Sequence, residues 1–494
     1  MTFEREIKLQ VPPGFRLPEL GGDGLGAVAR EPRRFATTYV DTPDLRIARW
    51  GSSLRHRQGE GWTVKLAASE ENGLLVRAEH VFAGEDARKV PVAAVDLLRA
   101  YVRDAELAPI VRLATLRRTV EVADELGRPL AVVTDDEVSV MDGRRVASRF
   151  REVEVELDPA ARPEASEGIL ARLRDAGAGP VDNVPKLLRA LGARAAEPPE
   201  VVAPALDGDA TVRQVVSRAL ALSVLRLLRH DAGVRLGQDP EEVHQARVAT
   251  RRLRSDLRTF RDVLEPVWAG ALREDLRGLG SELGEVRDAE VLRDRLRGRR
   301  LMLAPGDRRA LDRLLEGLGR TREEARGRLL ASLREPEYSA LLDRLIEAAR
   351  SPGVRSEVGD VPAVSGLRPV PDGSWKHLRT AVEAMERDQS EESLHAARIR
   401  AKRVRYTAEA LGPVYGKRAR AFARAAERLQ DVLGEHQDAV VASAWLRAAA
   451  RGSAPQAFVA GQLLTVEAEA ARAARAAWPD AWKALSRKKL RFWT

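Results

Sequence analysis

The sequence predicts an α+β protein: an N-terminal antiparallel β-barrel tunnel with flanking helices, followed by an all-α domain of two duplicated helical bundles. Residues 1–192 contain short segments in which apolar and polar residues alternate, as in strands buried on one face. From residue 212 onward, Leu, Val and Ala recur at helical spacing. Two motifs of this helical part occur twice, in the same order and about 150 residues apart, which indicates an internal duplication.

Changes in composition predict the domain boundaries. Residues 193–211 are rich in Pro, Ala and acidic residues without clear periodicity, which is typical of a linker. They separate a predicted domain of residues 1–192 from a helical domain of residues 212–494. A second break, residues 354–374, carries several Pro and Gly residues and divides the helical domain into halves, 212–353 and 375–494.

Composition and charge limit the functional classes. The net charge of +9 and the pI of 10.0 predict attraction to polyanions. Because the chain has no cysteine, disulfides, thiolate catalysis and Cys-ligated zinc are excluded. No apolar run approaches the roughly 18 residues needed to span a bilayer, so we expect a cytoplasmic protein that does not enter the membrane. Few aromatic residues (4%) and no groove-reading motif argue against specific nucleic-acid recognition.

Several predicted strands carry charge along one face and apolar residues along the other. At the N-terminus, Glu4, Glu6 and Lys8 are spaced by two residues and therefore share a face. Carboxylates in a row on one face repel unless cations or metals lie between them. Acidic and basic strands together predict a barrel with a charged lumen, which suits a divalent metal bound to a chain of phosphates. The further charged positions are Glu152, Glu154 and Glu156 on one strand and Arg55, Arg57 and Lys65 on two others.

The Glu4-x-Glu6-x-Lys8 pattern resembles the signature with which CYTH domains, the triphosphate tunnel metalloenzymes, begin. The resemblance continues in the expected order across nearly all of residues 1–190. It includes Arg55-His56-Arg57, Thr63-Val64-Lys65, Arg77-Ala78-Glu79, Arg117-Arg118, the strand 133–138 with Asp136, the Glu152/Glu154/Glu156 strand and Lys186.

This resemblance implies metal-dependent hydrolysis of a phosphoanhydride without a covalent nucleophile. The expected ligands of Mg²⁺ or Mn²⁺ are Glu4, Glu6, Asp136, Glu152, Glu154 and Glu156. The cations expected to hold phosphate oxygens are Lys8, Arg55, Arg57, Lys65, Arg77, Arg117, Arg118 and Lys186. Of these residues, Glu4, Glu6, Lys8 and Lys65 are expected to be catalytic. Arg117 and Arg118 are rivals for the lumen because the sequence does not fix strand register. Arg77 and Glu79 could instead form an ion pair within the wall.

In the helical part, four potential cations follow one stripe of a helix. His244, Arg247, Arg251 and Arg254 lie at i, i+3, i+7 and i+10, and His395, Arg398, Lys402 and Arg405 repeat the arrangement. Such a stripe is costly through mutual repulsion unless an anion lies against it. Two matched copies therefore favour an anion-binding surface over an ordinary solvated helix face.

The repeated His-x-x-Arg-x-x-x-Arg-Arg pattern resembles the CHAD domain over about residues 212–490, with Lys402 in place of the first Arg of the pair in the second copy. The resemblance implies two helical bundles that face each other across a basic channel for polyphosphate. A second motif of each half contains Arg287 or His436, and Gln437 replaces Arg287 in the second copy. The expected polyphosphate-binding residues are His244, Arg247, Arg251, Arg252, Arg254, Arg258, Arg287, His395, Arg398, Lys402, Arg403, Arg405 and His436.

The sequence therefore predicts a metal-dependent hydrolase of inorganic tripolyphosphate or polyphosphate with a C-terminal polyphosphate-binding domain. Two alternatives use the same tunnel, namely adenylate cyclase and thiamine triphosphatase. A third is a non-catalytic polyphosphate-binding scaffold, which would have no need for metal ligands.

Overall fold

The computed structural model describes residues 2–22, 24–67, 69–71, 74–161 and 166–494; for residues 2–4, 69–71, 74–77 and 195–196 it describes only the backbone. The chain forms two compact units, Met1–Glu200 and Val201–Thr494. Among the described residues, no helix combines the length and the apolar character that crossing a membrane requires.

The first unit is built on antiparallel strands. Its strands are β1 (Thr2–Gln10), β2 (Leu25–Ala29), β3 (Arg33–Asp41), β4 (Ser53–Arg57), β5 (Gly61–Lys65), β6 (Ser69–Glu71), β7 (Leu74–Phe82), β8 (Ala108–Asp124), β9 (Pro129–Asp142) and β10 (Arg145–Leu157). Its helices are α1 (Arg46–Arg49), α2 (Val92–Leu97), α3 (Arg99–Val102), α4 (Ser166–Asp175) and α5 (Lys186–Leu191), with a 3-10 helix at Gly192–Ala196.

The sheet curls until its pairing closes through β1. Neighbouring strands follow the order β1-β10-β9-β8-β3-β4-β5-β7, and β1 pairs with β7 as well as with β10. All these pairs are antiparallel, and residues directly opposite each other project from the same face. The N-terminal part is therefore an antiparallel barrel, which confirms the predicted fold class.

The outer face of the barrel is apolar and packs under α4. Ile7, Leu9, Val153 and Val155 are buried on this face, in one core with Ile169 and Leu173 of α4. The alternation that places these residues outside places Glu6, Lys8 and Glu154 inside. A second core contains Tyr39, Leu113, Val138 and Leu187 and holds α5 against the barrel.

The second unit is helical throughout. Its helices are α6 (Val212–Leu236), α7 (Pro240–Thr259), α8 (Pro266–Gly298), α9 (Arg308–Ser332), α10 (Pro336–Arg350), α11 (Ser356–Gly359), α12 (Ala363–Gly366), α13 (Pro369–Asp388), α14 (Glu391–Ala410), α15 (Gly412–Ala449) and α16 (Ala454–Leu485), with 3-10 helices at Arg300–Met302 and Lys488–Leu490. Helices α6 to α9 and α13 to α16 each pack in sequence order, and the halves meet where α7 contacts α14 and α9 contacts α16. Helix α13 begins at Pro369, inside the segment where composition predicts a break.

Candidate functional sites

A cavity of about 490 Å³ lies inside the barrel, and one side of it is acidic. Glu6 of β1 stands directly opposite Glu156 of β10, and Lys8 stands opposite Glu154. The next strand brings Asp136 opposite Glu152. The predicted acidic strand therefore does face the lumen, and β1 and β9 extend it into an acidic wall.

Two lysines hold this acidic wall together. Lys8 Nζ lies 3.0 Å from Glu6 Oε2 and also contacts Glu154. Lys186 Nζ lies 3.0 Å from Asp136 Oδ2 and 2.8 Å from Glu154 Oε1. Lys186 reaches this position because it is the first residue of α5, which the burial of Leu187 anchors against the barrel.

Burial and these ion pairs set the protonation of the wall. Burial alone would raise the pKa of Glu154, but Lys186, Lys8 and Arg117 outweigh it and hold that pKa well below its usual range. Burial and the neighbouring Glu154 raise the pKa of Glu152, although Lys186 opposes them. Lys186 has its pKa raised well above the ordinary value by the surrounding carboxylates, against the effect of burial. The wall is therefore a set of charged groups that neutralise each other when no ligand is present.

The opposite side of the cavity is cationic. Arg55, Arg57 and Lys65 line it from β4 and β5, where Glu60 and Glu79 pair with them. Arg117 of β8 lies between the two sides, because it also pairs with Asp136 of the acidic wall. The Arg57 guanidinium stacks 4.2 Å from the Phe35 ring centroid. Burial, followed by the nearby Arg55, lowers the pKa of Arg57. Cations held this close together favour an anionic ligand between them.

Register decides between the two rival arginines of β8. Arg117 stands opposite Asp136, to which it donates hydrogen bonds of 2.8 and 2.6 Å, and it lines the cavity. Arg118 stands opposite Asp135 and pairs with Asp135 and Glu137 on the other face of the sheet. The expectation that Arg118 lines the lumen is therefore wrong, because successive strand residues point to opposite faces.

Other predicted tunnel residues also differ from expectation. Glu152 is fully buried, pairs with Lys186 (2.8 Å) and Arg189 (3.2 Å), and does not line the cavity. Glu79 of β7 pairs with Arg55 of β4 at 3.5 Å and with Lys65 of β5. The side chains of Glu4 and Arg77 lie outside the described residues, although their backbones pair with each other.

The acidic wall has donors that fit a hard divalent cation. Among the described side chains, no three acidic or histidine residues already converge on one point. Yet Glu6 Oε1 is buried and has no hydrogen-bond partner within the described part of the chain. Glu156, directly opposite on β10, brings a second carboxylate with its Cβ about 5 Å away. Carboxylate oxygens are the ligands that Mg²⁺ prefers, so Glu6 and Glu156 are the candidate donors.

Sequence analysis missed several residues of this site. Arg189 lies one helical turn after Lys186 on α5, and it pairs with Glu152 and with Asp182 at 2.9 Å. Its i+3 spacing from Lys186 was an available signal. Phe35 and Glu60, which contact Arg57, gave no signal in the sequence. Phe35 belongs to another strand, β3, and Glu60 lies in the turn between β4 and β5.

In the helical unit, the two predicted stripes meet where α7 packs against α14. Arg251 donates a 2.7 Å hydrogen bond to the Tyr406 hydroxyl. The charges of Arg398, Arg251 and Arg247 all act on Lys402. We call Arg247, Arg251, Arg398 and Lys402, which come in pairs from the two halves, the central cation site. His244 lies beside it on α7, within the field of Arg287.

The second repeated motif contributes one aspartate to each half of this site. Arg247 pairs with Asp288 at 3.0 Å, and Arg398 pairs with the equivalent Asp438 at 3.4 Å. Each guanidinium lies 3.7 Å from where a Cβ would stand on Gly284 or Gly434. A Cβ at either glycine would therefore meet the arginine at ordinary van der Waals distance. The stripes are thus not free of carboxylates, because one aspartate accompanies each half.

Several predicted polyphosphate-binding residues are engaged elsewhere. His436 is buried and accepts a 3.0 Å hydrogen bond from Arg475. Arg405 pairs with Glu409 at 2.7 Å and with Glu427 at 2.8 Å. Arg252 also pairs with Glu409. The role of these three side chains in binding polyphosphate therefore stays a prediction, with one of them buried and two paired with glutamates.

The remaining predicted residues are exposed or half-buried. His395 is exposed, and its Nδ1 lies 2.9 Å from Gln437 Oε1. Gln437, which stands at the position of Arg287 in the second copy, therefore orients the histidine and supplies no cation. Arg287 contacts Glu290 at 3.3 Å. Arg254, Arg258 and Arg403 are half-buried and form a separate group.

The charge of the central cation site depends on the protonation of Lys402. Burial, followed by the charges of Arg398, Arg251 and Arg247, lowers the pKa of Lys402 to about 8. Because a bound polyanion favours the charged lysine, we expect polyphosphate affinity to fall as the pH rises through about 8. Titration calorimetry at constant ionic strength measures this. In a Lys402→Arg variant the decline should disappear, whereas an equal decline in both proteins would contradict the assignment.

Without an anion, the same pKa shift has the opposite consequence for stability. Between pH of about 8 and 10.5, the folded chain holds fewer protons on Lys402 than the unfolded chain does. The contribution of Lys402 to the free energy of unfolding therefore rises with pH across this window.

Comparison with known proteins adds independent findings. A family model described as CYTH domain matches residues 2–188, and one described as CHAD domain matches residues 218–447. Two uncharacterized proteins from strains of Mycobacterium tuberculosis are each 32% identical over 489 residues, which covers 92% of this chain and 91% of theirs.

Solved structures resemble each unit separately. The crystal structure of the CHAD domain from the plant Ricinus communis is 28% identical, with a TM-score of 0.47, and covers 58% of this chain and 95% of that chain. A Hippeastrum protein, described as a putative adenylyl cyclase with a dominant triphosphatase activity, is 16% identical, with a TM-score of 0.27. That match covers 38% of this chain and 95% of that chain.

Proposed function

Because this chain belongs to the family of proteins in which a CYTH domain is followed by a CHAD domain, we propose that its barrel hydrolyses inorganic tripolyphosphate or polyphosphate. The helical unit binds the long polymer. In this proposal the tunnel requires Mg²⁺ or Mn²⁺, and the substrate carries no nucleoside.

The observation that carries this proposal is the division of the cavity into an acidic and a cationic wall. A triphosphate alone would meet the carboxylates of Glu6 and Glu156, and a metal alone would meet the guanidinium groups of Arg55 and Arg57. A metal–triphosphate complex carries both charges and suits both walls. The buried Glu6 Oε1 without a partner fits the metal side of that complex.

The residues of the chain supply positioning and electrostatic stabilisation. Arg55, Arg57 and Arg117 donate hydrogen bonds to phosphate oxygens and fix the chain across the cavity. Glu6 and Glu156 would hold a divalent cation, which would supply positive charge to the phosphoanhydride. Lys8 and Lys186 lie where they balance the carboxylates in either state. A covalent nucleophile is not required, since preorganised charges lower the barrier directly.

A substrate screen tests the proposal. Phosphate release and nucleotide products are measured with tripolyphosphate, long polyphosphate, ATP and thiamine triphosphate, each with Mg²⁺ and with Mn²⁺. We expect the inorganic substrates to be hydrolysed fastest. Cyclic AMP as the main product would establish the cyclase alternative. Selective hydrolysis of thiamine triphosphate would establish the thiamine triphosphatase alternative. Absence of turnover with every substrate would leave a binding scaffold.

The register of β8 gives a paired prediction. Arg117→Gln removes a cation from the cavity, so we expect KM for tripolyphosphate to rise by about tenfold or more, the worth of one charge-assisted hydrogen bond. Arg118→Gln changes only the outer face, so we expect KM to stay near the wild-type value. Steady-state kinetics of both variants checks this. A larger effect from Arg118→Gln would mean that the register of β8 differs from the one described.

A further inference from the structure

The two helical halves are equivalent in position but not in charge. His244 and His395 are 151 residues apart, and Leu283 and Leu433 are 150 apart, so each residue of α7 and α8 has a counterpart on α14 and α15. Three counterparts are reversed in charge: Arg258 corresponds to Glu409, Arg277 to Glu427 and Glu274 to Arg424.

On one side of the helical unit, these glutamates neutralise their neighbours. Glu409 pairs with Arg252 and, at 2.7 Å, with Arg405. Glu427 adds a second partner for Arg405 at 2.8 Å. On this side, two carboxylates therefore stand against Arg252 and Arg405.

On the other side, the corresponding cations lie among further cations, although Glu274 acts on Arg254. Arg403, the counterpart of Arg252, lies near Arg258, Arg400 and Arg273. Burial, followed by these three charges, lowers the pKa of Arg403 to about 10. Within the part of the chain that the structure describes, none of Arg258, Arg400 and Arg403 forms an ion pair. Such an arrangement costs stability through repulsion unless an anion occupies it.

These arginines line a pocket with a volume of about 310 Å³ between α7, α13 and α14, which we call the Arg258 pocket. Its other polar lining residues include Ser374 and Thr407. At its rim, Arg261 pairs with Asp262 at 3.3 Å, and both are exposed. Successive residues of a helix point about 100° apart, so Arg403 faces this pocket while Lys402 faces the central cation site.

We propose that the Arg258 pocket is a second anion site, which binds a small phosphate-bearing anion: either free pyrophosphate or the end of a polyphosphate chain. The proposal rests on the polyphosphate-binding function proposed above and adds a separate site to it. Planar guanidinium groups match phosphate oxygens in bidentate geometry, and several of them converge here. The volume lies at the low end of ligand pockets, which favours a short anion over a passing polymer.

The test replaces Arg258 with the residue that the other half already carries. In the full chain, with EDTA present to stop metal-dependent hydrolysis, Arg258→Glu should weaken pyrophosphate binding by at least about tenfold. Arg424→Glu, on an exposed arginine of α15 that forms no ion pair among the described residues, is the charge-matched control. We expect it to bind pyrophosphate like the wild type. Equal weakening by both variants, or wild-type binding by Arg258→Glu, would overturn the proposal.

Melting curves provide a second readout. Because the introduced glutamate could pair with Arg254 and Arg403 as Glu409 pairs with Arg405 and Arg252, Arg258→Glu should melt no lower than the wild type without anion. Pyrophosphate should then raise the melting temperature of the wild type more than that of the variant. If the glutamate variant does not fold, Arg258→Gln allows the same comparison. A pyrophosphate-induced shift that is equal in the wild type and the folded variant would contradict the site.

Competition separates the two sources of the anion. Polyphosphates of two lengths are compared at equal total phosphate, as competitors of pyrophosphate. Competition in proportion to the number of chain ends would assign the pocket to the polymer end, and no competition would assign it to the free anion. Competition that depends only on total phosphate would overturn the assignment to a small anion. One result would separate this proposal from the proposed function. If Arg258→Glu loses pyrophosphate binding, while charge reversal at the central cation site leaves long-chain binding intact, polymer recruitment by the central cation site is refuted and the Arg258 pocket stands.

Discussion

Glu6→Gln is expected to lower the rate of tripolyphosphate hydrolysis by at least about a hundredfold, since even an outer partner of a metal ligand is worth roughly 10–100-fold. Glu6 is buried on the acidic wall, and its Oε1 has no hydrogen-bond partner among the described residues. Glutamine keeps the size of the side chain but loses the charge that attracts a divalent cation. The measurement is the initial rate of phosphate release at saturating Mg²⁺ or Mn²⁺.

Glu137→Gln is the matched control for this experiment. Glu137 lies on β9 next to Asp136 but on the opposite face, where it pairs with Arg118 at 2.8 Å. We expect this variant to retain most of the wild-type rate. Melting temperatures of both variants separate loss of activity from loss of fold. A folded Glu6→Gln protein with a near wild-type rate would exclude Glu6 from the metal site and remove the main support for the proposed chemistry.

Reversing Arg251 and Lys402 together to glutamate is expected to weaken long-polyphosphate binding by at least about a hundredfold, since hydrogen bonds to charged groups contribute about 1.5–3 kcal/mol each. These residues come from opposite halves and lie in one cation site, so both substitutions act on the same stretch of polymer. The affinity of the wild type should also fall steeply with salt, because each neutralised phosphate releases counterions. Titration of the full chain in EDTA measures both effects.

The control reverses two arginines with the same formal charge but without a shared site. Arg313 on α9 and Arg424 on α15 are exposed, and neither forms an ion pair within the described residues. We expect Arg313→Glu combined with Arg424→Glu to change affinity only slightly. Single-stranded DNA of equal charge tests selectivity. If both double variants lose affinity equally, or if DNA binds as tightly as polyphosphate, the site is ordinary basic surface.

The sequence alone was sufficient to predict the fold class and the faces of the elements. The two-residue alternation around Glu6 and Glu154 placed the charges on one face and Val153 and Val155 on the other, as in the barrel. The repeated motifs predicted two similar helical halves, each with a helix that carries the cation stripe. Both conclusions depend on local periodicity, which neighbouring residues determine.

Tertiary structure decided which side chains meet. Arg117 and Arg118 are adjacent in sequence, and only the register between β8 and β9 places Arg117 inside. The sequence could not show that Glu409, far along the chain, pairs with Arg252, or that Arg403 forms no ion pair among the described residues. Nor could it show that His436 is covered by Arg475. Periodicity fixes the direction of a side chain relative to its own element. Its partners depend on how elements distant in the chain pack, and therefore the charge of each site is a property of the folded molecule.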